Sequence, residues 1–252
     1  MGRKSARFHS CKARRLGHPI ADQKLEIRSK MRVPVRKIPP KHRGLTGILP
    51  SPTGQAIAFE SSLERDFVTL MSFDPYTVLI EEQPVRVDVP GGVGRAAYYV
   101  PDFLVTRIRG PDLLVEIKPS EVLKSDREKF ESRFAAAGRY AEAIGWAFQI
   151  WTEHEIRVPR LENLKFLSRF RLETPNPVLT ADLERRLAVC NSAVSVRDLL
   201  QQYDDDTQAP DRALRTIWCL LAHGTLQVDL DEPIDMDTPL TLSATARRKW
   251  VR

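Results

Sequence analysis

Pro101-Asp102, and then Glu116 and Lys118 in the run Leu113-Leu114-Val115-Glu116-Ile117-Lys118, are charged interruptions of otherwise aliphatic stretches. Side chains alternate faces along a strand, so Glu116 and Lys118 share one face, their Cα atoms about 7 Å apart, while Leu113, Val115 and Ile117 take the other. If the strand "YYVPDFLV" lies beside this one, Asp102 approaches Glu116. Two close carboxylates repel each other unless a cation or a proton stands between them. Mg²⁺ suits such a pair, because it takes one or two carboxylates and completes its shell with water and phosphate oxygens; Mn²⁺ is a substitute. A lysine beside the ion can orient an attacking water or take part in proton transfer, and the metal stabilises charge on a scissile phosphate. The plainer reading of Glu116 and Lys118 is a half-buried strand with one face toward water.

A third carboxylate is available upstream. Glu60 and Glu64 stand four residues apart at the border of an apolar helical stripe, so one or both can reach over a sheet edge. Equally, Glu60, Glu64 and Asp66 can belong to a solvated helix face with Arg65.

These residues need elements to hold them. Phe59, Leu63, Phe67, Leu70 and Met71 recur at helical spacing from Phe59, and Asp74-Pro75 ends the run. The stretches "TVLIEEQPVRVDV", "AAYYVPDFLVTRI" and "DLLVEIK" read as strands, and "GGVG" between the first two reads as a hairpin turn, lacking the ending of a phosphate loop. Phe130, Phe134, Ala137, Ala141 and Ile144 mark a helix from about Leu123; "WAFQIW" reads as a buried strand and "RLENLKFLSRF" as a helix. Helix, strands, helix, strand, helix is the order of an α/β layered domain, assigned to residues 51–170. In residues 171–252, helical "LTADLERRLAV", "SVRDLLQQY" and "APDRALRTIWCLLAHG" precede strand-like "TLQVDL". That is a winged-helix-like order, with Ser195 and Asp211 near helix starts and Gly224 as a stop.

Composition divides the chain further. Residues 1–45 hold 14 Lys/Arg and 2 Asp/Glu, a net +12; with +6 overall, the other 207 residues carry −6. The basic arm, residues 1–50 with its Pro/Gly-rich linker, is a natural ligand for a phosphate backbone, through Arg14, Arg15, Arg32, Arg36, Lys37, Lys41 and Arg43. The alternative is a solvated tail or a ligand for an acidic protein. Residues 171–252 hold 10 basic and 13 acidic side chains, a poor match for a duplex, which favours protein docking there. No apolar run is long enough to span a membrane and the start has no signal-like apolar region, so the expected location is the cytoplasm. Cys11, Cys190 and Cys219 lack metal or disulfide spacing and read as free thiols, and the five histidines suggest no metal site.

The pattern Pro101-Asp102 followed by Glu116-Ile117-Lys118 resembles the PD-(D/E)xK motif of restriction-endonuclease-like nucleases. Its surroundings, "ESSLERDFVTLMSFDPYTVLIEEQP", "YYVPDFLV" and "LLVEIKP", resemble the catalytic domain of TnsA-type transposon endonucleases, across about residues 55 to 160. The resemblance implies a mixed central sheet flanked by helices. It makes Glu64 the helical acid and a further metal ligand, Asp102 the central metal-ligating aspartate, Glu116 the second strand ligand and Lys118 the catalytic lysine, with Gln83 in support. It also implies cutting of the non-transferred 5′ strands at double-stranded transposon ends during cut-and-paste transposition. The implied partners are a DDE transposase (TnsB-like) that handles the 3′ ends and an AAA+ regulator (TnsC-like). Two alternatives stay open on the residues: a stand-alone restriction or repair endonuclease of the same fold, and a non-catalytic DNA-binding adaptor.

Overall fold

Where apolar side chains alternate with turn formers, the chain builds two units, described from a computed structural model that covers residues 46–50, 56–91, 94–190, 192–203 and 209–250. The basic residues from Arg14 to Arg43 lie outside the described residues. One unit runs to Ile156 and the other starts at Arg157.

In the first unit, β1 (Gly47–Pro50) pairs antiparallel with β2 (Ala56–Phe59), Gly47 opposite Phe59. A side chain at Gly47 would meet the Phe59 ring at 2.5 Å, so the ring would have to shift to admit one. Helix α1 (Ser62–Phe73) follows, then β3 (Thr77–Glu82), β4 (Val87–Asp88), β5 (Tyr98–Tyr99), β6 (Phe103–Arg107) and β7 (Leu113–Ile117). Helices α2 (Ser120–Ser125) and α3 (Arg127–Ala143), strand β8 (Ala147–Trp151) and the short α4 (Glu153–Ile156) complete it. The central sheet has the order β3-β6-β7-β8, antiparallel except for the β7–β8 pair. Packing on its two faces differs. On one, Leu63, Phe67 and Val68 of α1 meet Ile80, Phe103, Val105, Val115 and Ile117, with Phe67 stacked on Phe103 at 5.5 Å. On the other, Ala136 and Ala137 of α3 pack with Val87, Val89 and Tyr99. This is a mixed α/β layer structure, consistent with a nuclease fold.

Several boundaries differ from the sequence reading, each for a local reason. Phe59 ends a strand, and the helix starts three residues later because Ser61 caps it, its hydroxyl accepting the Glu64 N–H at 3.1 Å. The run through Gln83-Pro84 splits into β3 and β4, with Gln83 at φ 44, and Pro101, lacking an N–H, separates β5 from β6. The helix expected from Leu123 begins at Ser120 and breaks at Asp126. Strand β8, expected to be buried, is an edge strand with Gln149 and Ile150 exposed. "GGVG" does lie in a connection between antiparallel strands, β4 and β5.

The second unit holds α5 (Arg160–Ser168), α6 (Pro177–Val189), β9 (Val194–Ser195), α7 (Val196–Leu200), α8 (Ala209–Ala222), β10 (Leu226–Gln227), β11 (Pro239–Leu242) and α9 (Ala244–Arg247). Its antiparallel sheet has the order β10-β11-β9. Ser195 caps α7 through the Asp198 N–H, and Gly224, at φ 70, closes α8 with its N–H on the Leu221 carbonyl. Helix α5 belongs here rather than to a domain reaching residue 170: Leu161, Leu164 and Leu167 are buried, and Phe166 meets Trp218 of α8 edge-on at 5.4 Å. The C-terminal Trp250 returns to its own unit, its indole N–H donating to the buried Glu184 at 3.0 Å. Cys190 and Cys219 are free thiols, and among the described residues no helix is long and apolar enough to cross a membrane.

Candidate active site

Antiparallel pairing of β6 with β7 sets Phe103 opposite Val115, and the same register carried back one residue puts Asp102 opposite Glu116. Their carboxylates are held differently. Asp102 Oδ2 accepts the Ile117 backbone N–H at 2.8 Å, so the acid before one strand is pinned to the end of the next. Glu116 is 3% exposed, inside a strand whose five residues are all buried, which removes the reading of a strand with one face in water. Lys118 Nζ lies 2.6 Å from Glu116 Oε1 and 3.7 Å from Asp102 Oδ2. One ammonium therefore serves two carboxylates.

The backbone around the lysine is fixed from the neighbouring strand. The Lys118 N–H donates to the Trp151 carbonyl at 3.1 Å. Two residues on, Glu153 accepts from both the N–H and the hydroxyl of Ser120, the first at 2.9 Å. Those hydrogen bonds hold the Glu153 carboxyl down at about 2, so this tether survives well into the acid range.

Glu64 sits at the start of α1, where its carboxylate closes the cap: Oε2 accepts the Glu60 N–H at 2.7 Å and Oε1 the Ser61 hydroxyl at 3.0 Å. Burial first, and then the charge of Asp102, raise its pKa, so it lies within electrostatic reach of the strand acids. Gln83 bridges helix and strand: its N–H donates to the Asp102 carbonyl at 2.8 Å and its Nε2 to Glu60 Oε1 at 3.3 Å. Its left-handed backbone and its buried, unpartnered Oε1 are strained features of the kind that gather at functional sites. Among the described residues no three His, Cys, Asp or Glu side chains are set as a ready metal-binding group. The strand carboxylates form a pair, with Glu64 engaged in its cap.

Electrostatics follow from burial. Desolvation raises the Asp102 pKa against the pull of Lys118 and of the Ile117 N–H. Burial and the Asp102 charge push Glu116 up to about 7, opposed by Lys118 and by the Tyr99 hydroxyl, which donates to Oε2. For Lys118, desolvation works downward, but the charges of Asp102 and Glu116 outweigh it and the ammonium is held above its usual range. The sequence reading missed Tyr99. Its signal lay in "YYVPDF", an aromatic with a polar tip three residues before Asp102.

The Glu116 shift has a sign that can be measured. Unfolded, the group titrates near 4.5 and folded near about 7, so between those values the native state keeps a proton that the unfolded chain has lost. Its contribution to stability is complete below pH 4.5 and fades as pH rises to about 7. Glu116→Gln, neutral throughout, is expected to gain on the wild type across this window by on the order of 3 kcal/mol at most. Urea denaturation at either end checks this; parallel profiles for the two proteins would remove Glu116 as the titrating group.

A buried Glu116, a half-buried Asp102 and Lys118, set where antiparallel strands end in a mixed sheet, fit the PD-(D/E)xK pattern that the sequence resembles. Residues 74–153 match the family described as TnsA-like endonuclease N terminal, which supports a TnsA-type endonuclease. The match takes in Gln83, Asp102, Glu116 and Lys118 and begins after Glu64. Curated proteins gave no match.

Proposed function

We propose that the chain is the endonuclease subunit of a heteromeric transposase and hydrolyses the non-transferred 5′ strands at transposon ends. The observation that carries this reading is the Asp102, Glu116 and Lys118 cluster, which lies inside the TnsA-like segment. Its donors are hard carboxylate oxygens in excess of the one ammonium that faces them, which fits Mg²⁺, with Mn²⁺ as a substitute. Asp102 and Glu116 would hold the ion, and two carboxylates suffice for Mg²⁺ when phosphate and water supply the rest. When bound, such an ion supplies Lewis-acid stabilisation of the phosphate and a more acidic water.

The remaining roles fall to this chain's own side chains. Lys118, kept charged by its two neighbours, orients the attacking water and donates a proton to the leaving oxygen, while the proton that the water loses passes to solvent. Glu64 adds a negative charge from the helix start, and Gln83 supports Asp102 by the hydrogen bond to its carbonyl. The second unit's three helices α6, α7 and α8 with a small antiparallel sheet support a winged-helix-like docking domain, for a DDE transposase or an AAA+ regulator. The basic arm tracks DNA. Deleting residues 1–45 is expected to flatten the salt dependence of DNA association, because 14 Lys/Arg leave with it. An unchanged salt slope in binding titrations assigns the arm to protein contacts instead.

The reading as a whole is tested by supplying the purified chain with transposon-end DNA, with and without the transposase. Silence alone and cutting in its company support a subunit; vigorous cutting alone makes it a stand-alone nuclease.

A further inference from the structure

A buried phenol stands against the site, and neither the motif nor the family match gives it a role. Tyr99 lies on β5 opposite Val87 of β4, its ring edge-on to Phe134 of α3 with 6.2 Å between centroids. The ring is buried on the face that α3 covers, and its hydroxyl donates to Glu116 Oε2.

This divides the two oxygens of one carboxylate. Oε2 is taken by a neutral donor that adds no charge, while Oε1 is left toward Lys118 at 2.6 Å and thus toward the Asp102 side. A buried carboxylate oxygen without a donor is costly, and a water in that place would satisfy it without fixing the torsion of the group. A phenol does both, since its ring has two rotatable bonds and is packed among Val87, Val89 and the α3 side chains. Phenylalanine would fill the same volume, so packing alone does not explain the hydroxyl.

We infer that Tyr99 is a positioning residue that fixes the Glu116 carboxylate, so that one oxygen is presented to the cation-binding side of the site. The inference rests on the metal-dependent nuclease reading above for its consequence, though not for the contact itself. Outer partners of metal-binding side chains typically matter 10–100-fold in affinity or activity.

The test is Tyr99→Phe in the full-length chain, beside wild type and Glu116→Gln, with two readouts taken without DNA. Calorimetric titration with Mn²⁺ is expected to show affinity about 10–100-fold weaker in Tyr99→Phe. The ¹³C resonance of the Glu116 carboxyl in metal-free protein is expected to shift when the hydroxyl is removed. In cleavage with the transposase present, kcat falls while KM for DNA stays, a split that general loosening of the fold would not give. Unchanged Mn²⁺ affinity with an unchanged carboxyl resonance overturns the inference. If wild type binds no Mn²⁺ yet the carboxyl resonance moves in Tyr99→Phe, the positioning stands and the metal reading falls. A Tyr99→Phe that does not fold leaves the wild-type hydroxyl proton as probe: a resonance that answers to Glu116→Gln supports the contact, and one that ignores it overturns the inference.

Discussion

On the proposed function, Asp102→Ala is expected to abolish cutting of the 5′ strands at transposon ends while leaving the association with the transposase intact. Asp102 faces Glu116 across the register, ties its carboxylate to the Ile117 N–H and shares Lys118, so it links the two strand ends that carry the site. Metal-assisted stabilisation and water activation are each worth several kcal/mol, and each 1.36 kcal/mol is tenfold, so a loss on the order of a thousandfold or more is expected. Stability moves little or upward, because the substitution removes an acid whose charge burial already disfavours. Strand-specific cleavage measured beside a pull-down with the transposase separates the two effects. Failed association would move Asp102 from chemistry to architecture.

Lys118→Ala gives the second large effect, and it divides between rate and stability in a pH-dependent way. Without the ammonium, Glu116, 4% exposed at its side chain, keeps only the Tyr99 hydroxyl, and Asp102 keeps the Ile117 N–H. Breaking a fully buried ion pair from one side costs about 3–5 kcal/mol, and here the cost is lower, on the order of 1–3 kcal/mol near neutral pH, because Glu116 can take up a proton instead. The sign is fixed: lost positive charge raises both carboxyl pKa values further, so the deficit shrinks as pH falls and both acids become neutral. Cleavage falls by on the order of a hundredfold or more, the usual scale for a positioned proton-transfer group. Denaturation at pH 5 and pH 8 with paired cleavage rates checks the expectation; an equal stability deficit at both values would contradict it.

The site was legible in the sequence because its chemistry depends on strand periodicity. Glu116 and Lys118 share a face by alternation alone, and Asp102 comes opposite as soon as β6 and β7 pair. What alternation could not show was burial. Both faces of β7 are covered, by α1 on one side and by α3 with β5 on the other, so Glu116 is deep where a half-wet strand also fitted the pattern. Tyr99 escaped for the same reason. Its hydroxyl reaches Glu116 from a separate two-stranded ribbon, and that ribbon exists because Gln83-Pro84 and Pro101 cut what look like continuous strands. Glu64 was found by resemblance, and its second occupation, capping α1 with Ser61, is itself written in the Ser-x-x-Glu spacing. Helix α5 was misplaced because the prolines after it are stronger punctuation than the packing of Leu161, Leu164 and Leu167 that sets the division at Ile156.

The most direct measurement uses a transposon-end duplex labelled separately on its two strands, cut by the transposase with the wild-type chain or with Asp102→Ala. Mg²⁺-dependent cuts on the 5′ strand are expected with wild type, none with Asp102→Ala, and 3′-strand cuts in both. Cuts on the 5′ strand that persist with Asp102→Ala would contradict the proposed function.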